Sequence, residues 1–396
     1  MSPRHAAAAL SQLRRYYPVI AVTGPRQAGK TTLVRKAFSD RPYANLEEPD
    51  TREFARADPR GFLNQFPEGA VLDEVQRSPE LFSWIQARVD AKPDAARPRD
   101  AQFILTGSQQ LGLVEGISQS LAGRAGYLHL LPFSLAEASG YPATRELALW
   151  LATGGYPPIH DRNIPPAIWF RDYVATYIER DVRQMINVRD LAAFQRFVRM
   201  CASRVGQLLN LSALAADCGI THNTAKAWLS ILEASYIAFT LQPWHGNIGK
   251  RLVKAPKLYF YDTGLAAWLA GFGSGVSLEH GAMRGPLFEN WVMTEVMKLR
   301  FNTLTDLQCH FYRDSNHNEV DLVVDFEGRR VAVEIKSGQT VAADWFAPLN
   351  RAAAAISADE KLIVYGGSKS EARSDARVLG WRDAVAGLVD AVGLPV

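Results

Sequence analysis

The feature that most constrains this chain is a glycine-framed loop near its start. An apolar, β-branched run from Val19 leads into Gly24-x-x-x-x-Gly29-Lys30-Thr31, and a helical pattern follows. The two glycines allow a tight turn because they lack a Cβ atom. The loop amides and the helix N-terminus then face a phosphate. Since strand and helix are both readable, a P-loop is favoured over a glycine-rich turn with a chance Lys-Thr pair.

Within this loop, Lys30 is expected to reach the β- and γ-phosphates, and Thr31 to hold Mg²⁺ through its hydroxyl. We expect the nucleotide to contact every residue of the loop and the first helical residues after it: Gly24, Pro25, Arg26, Gln27, Ala28, Gly29, Lys30, Thr31 and Thr32.

A second apolar run, residues 69–74, ends in Asp73 and Glu74. After a P-loop, this pattern is typical of a Walker B strand. Asp73 would hold the water shell of Mg²⁺, and Glu74 would polarise the attacking water as general base. The alternative is an acidic turn that merely follows a strand.

Two further segments carry candidate site residues. The strand at residues 102–108 ends in Thr106 and Ser108, which would sense the γ-phosphate or the water unless they form a plain turn. Arg124 precedes a fifth strand and is expected at the carboxyl edge of the sheet, where phosphates lie. There it would act as an arginine finger, in cis or from a neighbouring subunit, or form a structural ion pair. Five strands interleaved with helices predict a three-layer αβα domain over residues 1–135.

Length and composition set broad limits. A chain of 396 residues predicts roughly two to four domains. The net charge of +3 is too small to indicate a nucleic-acid partner by itself. Cys201, Cys218 and Cys309 lack metal-ligand spacing and are too few for a disulfide framework, so we expect a reducing, cytoplasmic location. With no signal-peptide pattern and no apolar run of about eighteen residues, we expect no membrane partner.

The middle of the chain reads as helical. Residues 136–200, with helices at 147–151 and 167–187, are predicted to form a lid or linker. Residues 211–219 and 220–233 then predict a helix–turn–helix, with Gly219 in the turn and Thr221 capping the second helix.

Polar residues at the start of that second helix lie where a recognition helix meets bases: His222, Asn223, Thr224 and Lys226. Strands at 236–241 and 257–261, with basic Lys250, Arg251 and Lys254 between them, would add a wing, giving a winged helix over residues 201–275. Such a module binds DNA or serves only for packing. If it binds DNA, reversing those three charges should weaken binding and its salt dependence.

The C-terminal region, residues 276–396, holds a second group of candidate residues. A helix at 286–301 carries Glu289 in an apolar stripe, and residues 319–326 and 330–336 alternate as a β-hairpin. Asp321 on one strand and Glu334-x-Lys336 on the next resemble the PD-(D/E)xK nuclease superfamily. The resemblance implies a restriction-endonuclease-like α/β fold in which Asp321 and Glu334 bind Mg²⁺. Glu289 would complete the metal site or orient a water. Lys336 would help to activate a water on a phosphodiester.

Motifs along nearly the whole chain resemble AAA+-type ATPases of bacteria and archaea that carry a C-terminal domain of unknown function. They are the P-loop and the segments at 72–76, 105–108, 120–124, 132–134, 154–157, 177–181, 259–264 and 288–291. The resemblance implies ATP binding and hydrolysis. A GTPase is disfavoured because the nearest string to a guanine motif, residues 91–94, is incomplete and early. A small-molecule kinase rarely needs Glu74 beside Asp73.

We therefore expect a homo-oligomeric, Mg²⁺-dependent ATPase that acts on DNA, either as a branched-DNA motor or as an ATP-driven nuclease. The expected catalytic residues are Lys30, Glu74, Arg124, Glu334 and Lys336. The alternative is a nucleotide-dependent switch or scaffold whose C-terminal domain binds a partner without cleavage.

Overall fold

A computed structural model describes residues 3–91, 100–107, 120–182, 190–246, 255–314 and 318–394. The chain forms two compact units. The first comprises Met1–Phe133 with the short segments Ala234–Tyr236 and Phe301–Leu304. The second comprises Ser134–Glu233, Ile237–Arg300 and Thr305–Val396. Ser108, Lys250, Arg251 and Lys254 lie outside the described residues.

A five-stranded parallel sheet forms the centre of the first unit, in the order β2-β3-β4-β1-β5. Its strands are β1 Val19–Thr23, β2 Tyr43–Asn45, β3 Ala70–Asp73, β4 Phe103–Gly107 and β5 Ala125–His129. Because helices cover both faces of such a sheet, its strands are nearly continuous apolar runs. The central strand β1 is accordingly buried along its whole length.

The helices of the first unit are α1 Ala6–Tyr16, α2 Lys30–Ala37, α3 Pro49–Ala57, α4 Pro59–Asn64 and α5 Leu81–Asp90. One face of the sheet packs with α3, α4 and α5, and the other packs with α1 and α2. The predicted α/β class with a parallel sheet is therefore confirmed.

The second unit begins with helices. They are α6 Leu147–Thr153, α7 Pro157–Asp161, α8 Pro166–Tyr173, α9 Leu191–Ser203, α10 Leu211–Cys218, α11 His222–Ala234, α12 Thr263–Leu269, α13 Gly275–Glu279 and α14 Arg284–Thr303. The prediction of one continuous α-helix over 167–187 is wrong, because α8 ends at Tyr173 and a π-helix follows over Val174–Val182. The last residues of that prediction are not among those described.

A helix pair and a short hairpin follow the predicted positions. Gly219 ends α10 in the left-handed conformation, with φ 70°. The Thr221 hydroxyl then accepts a hydrogen bond from the Thr224 amide at 3.1 Å, which caps α11 and explains its start at His222. Downstream, strands β6 Ala238–Leu241 and β7 Lys257–Phe260 pair in antiparallel fashion.

A six-stranded mixed sheet completes the second unit, in the order β12-β13-β11-β10-β9-β8. Its strands are β8 Gln308–Arg313, β9 Glu319–Phe326, β10 Arg329–Lys336, β11 Glu360–Tyr365, β12 Glu371–Ala372 and β13 Arg377–Gly380. Its helices are α15 Phe346–Ala355 and α16 Ala384–Val392. The predicted hairpin is present, turning at Glu327 and Gly328, both of which have positive φ. Among the described residues, no helix is both long enough and apolar enough to span a bilayer.

Candidate functional site

The loop after β1 has glycine where the backbone requires it. Gly24 adopts φ 147°, and a Cβ atom there would lie 2.1 Å from the carbonyl oxygen of Leu130. Gly29 adopts φ 94° immediately before α2. Side chains are strained in both conformations, so these two positions fix the loop against the end of the sheet.

Lys30 lies buried over the loop. Its ammonium donates hydrogen bonds to the carbonyl oxygens of Gly24, at 3.0 Å, and Pro25, at 2.9 Å. Burial lowers the pKa of Lys30 to about 8, although Glu74 and Asp73 act to raise it. The positive charge is therefore held at the mouth of the loop, where a phosphate would displace its bonds to the carbonyls.

Asp73, at the end of β3, accepts hydrogen bonds from three hydroxyls. Thr31 donates to its Oδ2 at 2.9 Å and Tyr43 donates to the same oxygen at 2.6 Å. The buried Thr106 hydroxyl donates to Oδ1. The carboxylate is thus oriented from α2, β2 and β4 at once.

Glu74 follows in an uncommon backbone conformation, with φ 56°. For a residue other than glycine this costs of order 1–3 kcal/mol and persists only when neighbours hold it. The Glu74 amide donates to Thr106 Oγ1 at 3.3 Å, and the Gln76 side chain donates to Glu74 Oε2 at 2.5 Å. These contacts fix the carboxylate directly after the Asp73 strand.

The oxygens at this site suit a magnesium ion. Mg²⁺ prefers hard oxygen ligands and is usually held by one or two protein side chains plus phosphate oxygens. Thr31 and Asp73 supply such oxygens side by side. Bound there with a nucleotide, Mg²⁺ would neutralise phosphate charge, and Thr31 and Asp73 are the residues that would hold it.

The other residues of the loop differ in their surroundings. The Arg26 guanidinium lies 3.8 Å from the Glu47 carboxylate, Gln27 has positive φ, and Thr32 is exposed. Arg4, which the sequence did not single out, donates to the carbonyl oxygen of buried Ala28 at 2.7 Å. That bond supports the loop from the N-terminal side of the chain.

A buried hydrogen-bond network lies behind the loop. Thr23, the residue before Gly24, has its hydroxyl 2.6 Å from the Tyr236 hydroxyl and 2.7 Å from His129 Nδ1. Tyr236 OH and His129 Nδ1 are also 2.6 Å apart. Tyr236 belongs to the three-residue segment that joins the first unit from a distant part of the chain.

Arg124 is not where it was expected within its own chain. Its carbonyl oxygen accepts from the Val19 amide at 3.2 Å, at the start of β1, whereas the P-loop follows the other end of that strand. Because β5 begins at Ala125 and runs parallel to β1, Arg124 lies at the amino edge of the sheet. Its guanidinium pairs with Asp90 at 2.6 and 2.8 Å. An arginine-finger role toward a neighbouring subunit stays a prediction.

The predicted C-terminal residues lie on adjacent elements of the second unit. Asp321 on β9 accepts a hydrogen bond from the Ile335 amide of β10 at 2.8 Å. On β10, the Lys336 ammonium donates to Glu334 Oε1 at 2.5 Å. Glu289 on α14 accepts from the Tyr259 hydroxyl at 2.6 Å.

A second lysine, absent from the predicted set, lies among these carboxylates. Lys257 begins β7 and is buried. Its ammonium is 2.7 Å from Glu319 Oε1, 3.2 Å from Glu289 Oε1 and 3.8 Å from Asp321 Oδ1. Burial lowers the pKa of Lys257, but Glu289, Asp321 and Glu319 together raise it further, so its net pKa lies above the ordinary value.

The pKa values of Glu289 and Glu334 are both raised. Burial is the main cause, and the nearby Asp321 carboxylate adds to it. Within the described part of the chain, no group of three or more His, Cys, Asp or Glu side chains is arranged to hold a metal ion. Of the three residues expected to bind Mg²⁺ here, Glu289 and Asp321 lie within 4 Å of the Lys257 ammonium, and Glu334 pairs with Lys336. The Mg²⁺ site at these residues stays a prediction.

Lys257 and Tyr43 were not singled out from the sequence, although local patterns give some indication of their roles. Lys257 and Tyr259 alternate along one β-strand, so they point to the same side, and a lysine that opens an otherwise apolar strand is a candidate for a buried ion pair. Tyr43 is the first residue of the short strand β2, which pairs with β3. Nothing local indicates that either residue meets its carboxylate, because those contacts depend on long-range pairing.

Three family models match consecutive parts of the chain. Residues 16–139 match an AAA domain, residues 144–275 match a domain of unknown function (DUF8612), and residues 284–383 match another domain of unknown function (DUF4143). The first match covers the P-loop and the Asp73–Glu74 pair. Residues 16–139 therefore form an AAA-type P-loop domain, which is typical of nucleotide-binding ATPases.

Solved structures with partial similarity to the chain include the Walker-type ATPase PABY2304 of Pyrococcus abyssi. It is 15% identical with a TM-score of 0.41, and the match covers 67% of this chain and 94% of that one. Another is AMPPCP-bound DnaA from Aquifex aeolicus, at 14% identity and TM-score 0.28, covering 58% of this chain and 85% of that one.

Among curated proteins, the uncharacterized protein Rv2008c of Mycobacterium tuberculosis is 34% identical over 341 residues, which is 85% of this chain and 74% of the relative. The uncharacterized protein Mb2031c of Mycobacterium bovis matches to the same extent. With its AAA domain followed by two domains of unknown function, the chain belongs to the same protein family as these two mycobacterial proteins.

Proposed function

We propose that this protein hydrolyses ATP at the P-loop and uses the hydrolysis to act on DNA. The observation that carries the proposal is the Walker arrangement, in which the buried Lys30 ammonium and the three-hydroxyl cradle of Asp73 converge beside Glu74. The Lys30 charge would stabilise the transferring phosphoryl group. Glu74, held in its strained conformation, would align the attacking water.

The DNA part of the proposal is supported by the helix pair. Buried Ala225, Trp228 and Leu229 anchor α11 in the second unit, while His222, Asn223 and Lys226 at its start are exposed. A helix held by its apolar face with polar side chains free at its N-terminal end suits insertion into a major groove.

ATP turnover with and without DNA tests the proposal. The rate should rise when duplex, forked or four-way DNA is added. Glu74→Gln should keep ATP binding and lose about 100-fold or more in turnover, and Lys30→Ala should lose both. Full turnover by Lys30→Ala would refute the catalytic assignment, and a rate indifferent to every DNA would refute the DNA role.

Lys226→Glu isolates the proposed DNA contact from the ATPase. It should weaken DNA binding and reduce the salt slope by about 1, as expected for loss of one phosphate contact. The matched control is Lys369→Glu, which reverses an exposed lysine elsewhere in the second unit. Equal DNA affinity of the two variants would contradict the assigned surface.

A second candidate function is favoured by one observation. Lys257 lies among Glu289, Glu319 and Asp321, where a nuclease would hold its metal ion. This arrangement favours a C-terminal domain that binds DNA or another partner without cutting it. Mg²⁺-dependent nicking of branched or single-stranded DNA by wild type, lost in Glu334→Ala, would instead establish the nuclease activity.

A further inference from the structure

We propose that Lys257 is a built-in cation that fills the carboxylate cluster of Glu289, Glu319 and Asp321 and keeps divalent metal ions out of it. The proposal concerns the second unit alone and holds whether or not ATP hydrolysis acts on DNA. It assigns Lys257, on a strand outside the nuclease-like hairpin, the electrostatic role that a bound metal ion would otherwise have.

The first observation is how close the Lys257 ammonium lies to three carboxylates. The Lys257 nitrogen lies 2.7, 3.2 and 3.8 Å from oxygens of three different carboxylates. A metal ion bridging these carboxylates would need the same space, since Mg²⁺ and Ca²⁺ hold oxygens at about 2.0–2.6 Å. An ammonium and a dication cannot share this position, because like charges at such separation repel strongly where water is scarce.

The second observation is the charge balance around Lys257. Buried carboxylates require a paired positive charge. Glu289, Glu319 and Asp321 are partly buried and face Lys257. Glu319 also lies 3.8 Å from the Arg313 guanidinium, and Glu334 pairs with Lys336. These cations already compensate part of the negative charge, which reduces the need for a metal ion here.

The third observation is that backbone pairing on both sides holds Lys257 in place, so that its side chain stays beside the carboxylates. Lys257 pairs with Leu241 of β6 on one side and bridges to Leu208 on the other. The next amide, of Leu258, donates to the Gln207 carbonyl at 3.1 Å. The ring of Phe311 lies 5.4 Å from the ammonium and adds a cation–π contact.

Manganese binding measured by electron paramagnetic resonance on nucleotide-free protein tests the proposal. Wild type should show no Mn²⁺ site that depends on Asp321, so wild type and Asp321→Asn should give the same titration. Lys257→Met should gain about one Mn²⁺ per chain, and adding Asp321→Asn to it should abolish the gain. A wild-type site lost in Asp321→Asn overturns the proposal, as does a folded Lys257→Met protein that gains no site.

Lys257→Met leaves partly buried carboxylates without their cation, so its folding is checked by circular dichroism. Should it not fold, Lys257→Met combined with Glu319→Gln removes one charge of each sign and keeps Glu289, Asp321 and Glu334. This double variant should fold and gain the Mn²⁺ site. A folded double variant without the site overturns the proposal.

Lys298→Met is the matched control, because Lys298 is as buried as Lys257 in the same unit and forms an ion pair with Glu295 at 2.9 Å, away from Glu289, Glu319 and Asp321. Loss of that lysine should create no Mn²⁺ site. An equal gain in Lys298→Met would show that any unpaired buried carboxylate attracts manganese, and would overturn the specific role of Lys257. Since no nucleotide is present, these results are independent of the ATPase measurements.

Discussion

At the scale of single residues, the nucleotide site depends on how Asp73 is held. Tyr43 donates to Asp73 Oδ2 beside Thr31, and burial, then the carboxylate, raises the pKa of Tyr43. The tyrosine therefore stays a hydrogen-bond donor at every physiological pH. It orients the carboxylate oxygen that would face Mg²⁺.

Tyr43→Phe should consequently weaken metal use more than nucleotide binding. Loss of a partner that orients a metal ligand typically costs 10–100-fold in metal affinity or activity, so we expect the Mg²⁺ needed for half-maximal ATPase to rise about tenfold. Binding of ATP without metal should change little. The control, Tyr16→Phe, alters a 72% exposed tyrosine of the same unit; a shift of similar size in the control would refute the positioning role.

Lys30 gives a pH dependence with a defined sign. In the nucleotide-free protein its pKa is lowered to about 8, chiefly by burial, so the ammonium is lost as pH rises through 8. Bound phosphates favour the charged form, and binding should therefore take up protons near and above that pH. ATP affinity should fall as pH rises, with proton uptake measured by calorimetry in buffers of different ionisation enthalpy.

The charge-retaining variant Lys30→Arg is the control for this linkage. A guanidinium stays protonated throughout the range, so its nucleotide binding, although weaker, should show no proton uptake near pH 8. The same uptake in Lys30→Arg as in wild type would assign the proton to another group.

At the scale of elements, the turn of the helix pair depends on backbone conformation alone. Gly219 ends α10 with φ 70°, and a Cβ atom there would meet nothing within 4 Å. Gly219→Ala should therefore destabilise the protein only through the left-handed conformation, by about 1–2 kcal/mol, read from the guanidinium midpoint. Gly219→Asn should cost less.

Gly140→Ala is the comparison for that measurement. Gly140 also has open space around its Cβ position but lacks positive φ, so alanine there should leave the midpoint unchanged or slightly higher. Equal destabilisation at both positions would show that the Gly219 effect does not come from the left-handed conformation.

Many of the helices and strands could be predicted from local sequence patterns. Apolar β-branched runs gave β1 and β3, and Gly219 with Thr221 gave the bounds of the helix pair within two residues. The edge at which Arg124 lies was missed, because it follows from where β5 starts relative to β1.

Of the two candidate sites, the P-loop could be predicted from the sequence, whereas the contacts of Lys257 could not. The P-loop geometry follows from residues adjacent in sequence, so Lys30 and Thr31 could be assigned from spacing alone. The Lys257 contacts join a strand to residues 32 and more positions away. No local pattern encodes such a pairing, and the metal site was predicted without the cation that lies in it.

At the scale of the whole molecule, Tyr236 links two functions along the chain. Helix α11, which carries the proposed DNA contacts, ends at Ala234, and the next residues through Tyr236 belong to the ATPase unit. Tyr236 adopts φ 55°, an uncommon conformation that its buried hydroxyl contacts to Thr23 and His129 help to hold. The P-loop and α11 are thus connected through one short segment.

Tyr236→Phe should therefore separate ATP turnover from its response to DNA. The ring remains to fill the buried space, but Thr23 loses one hydrogen-bond partner next to the P-loop. We expect a basal rate close to wild type and a clear loss of DNA stimulation, because coupling requires an element whose state both sites bias. Tyr259→Phe, which removes a buried hydroxyl from the second unit, should keep the stimulation. Unchanged stimulation in Tyr236→Phe would mean that DNA binding reaches the ATPase site by another route.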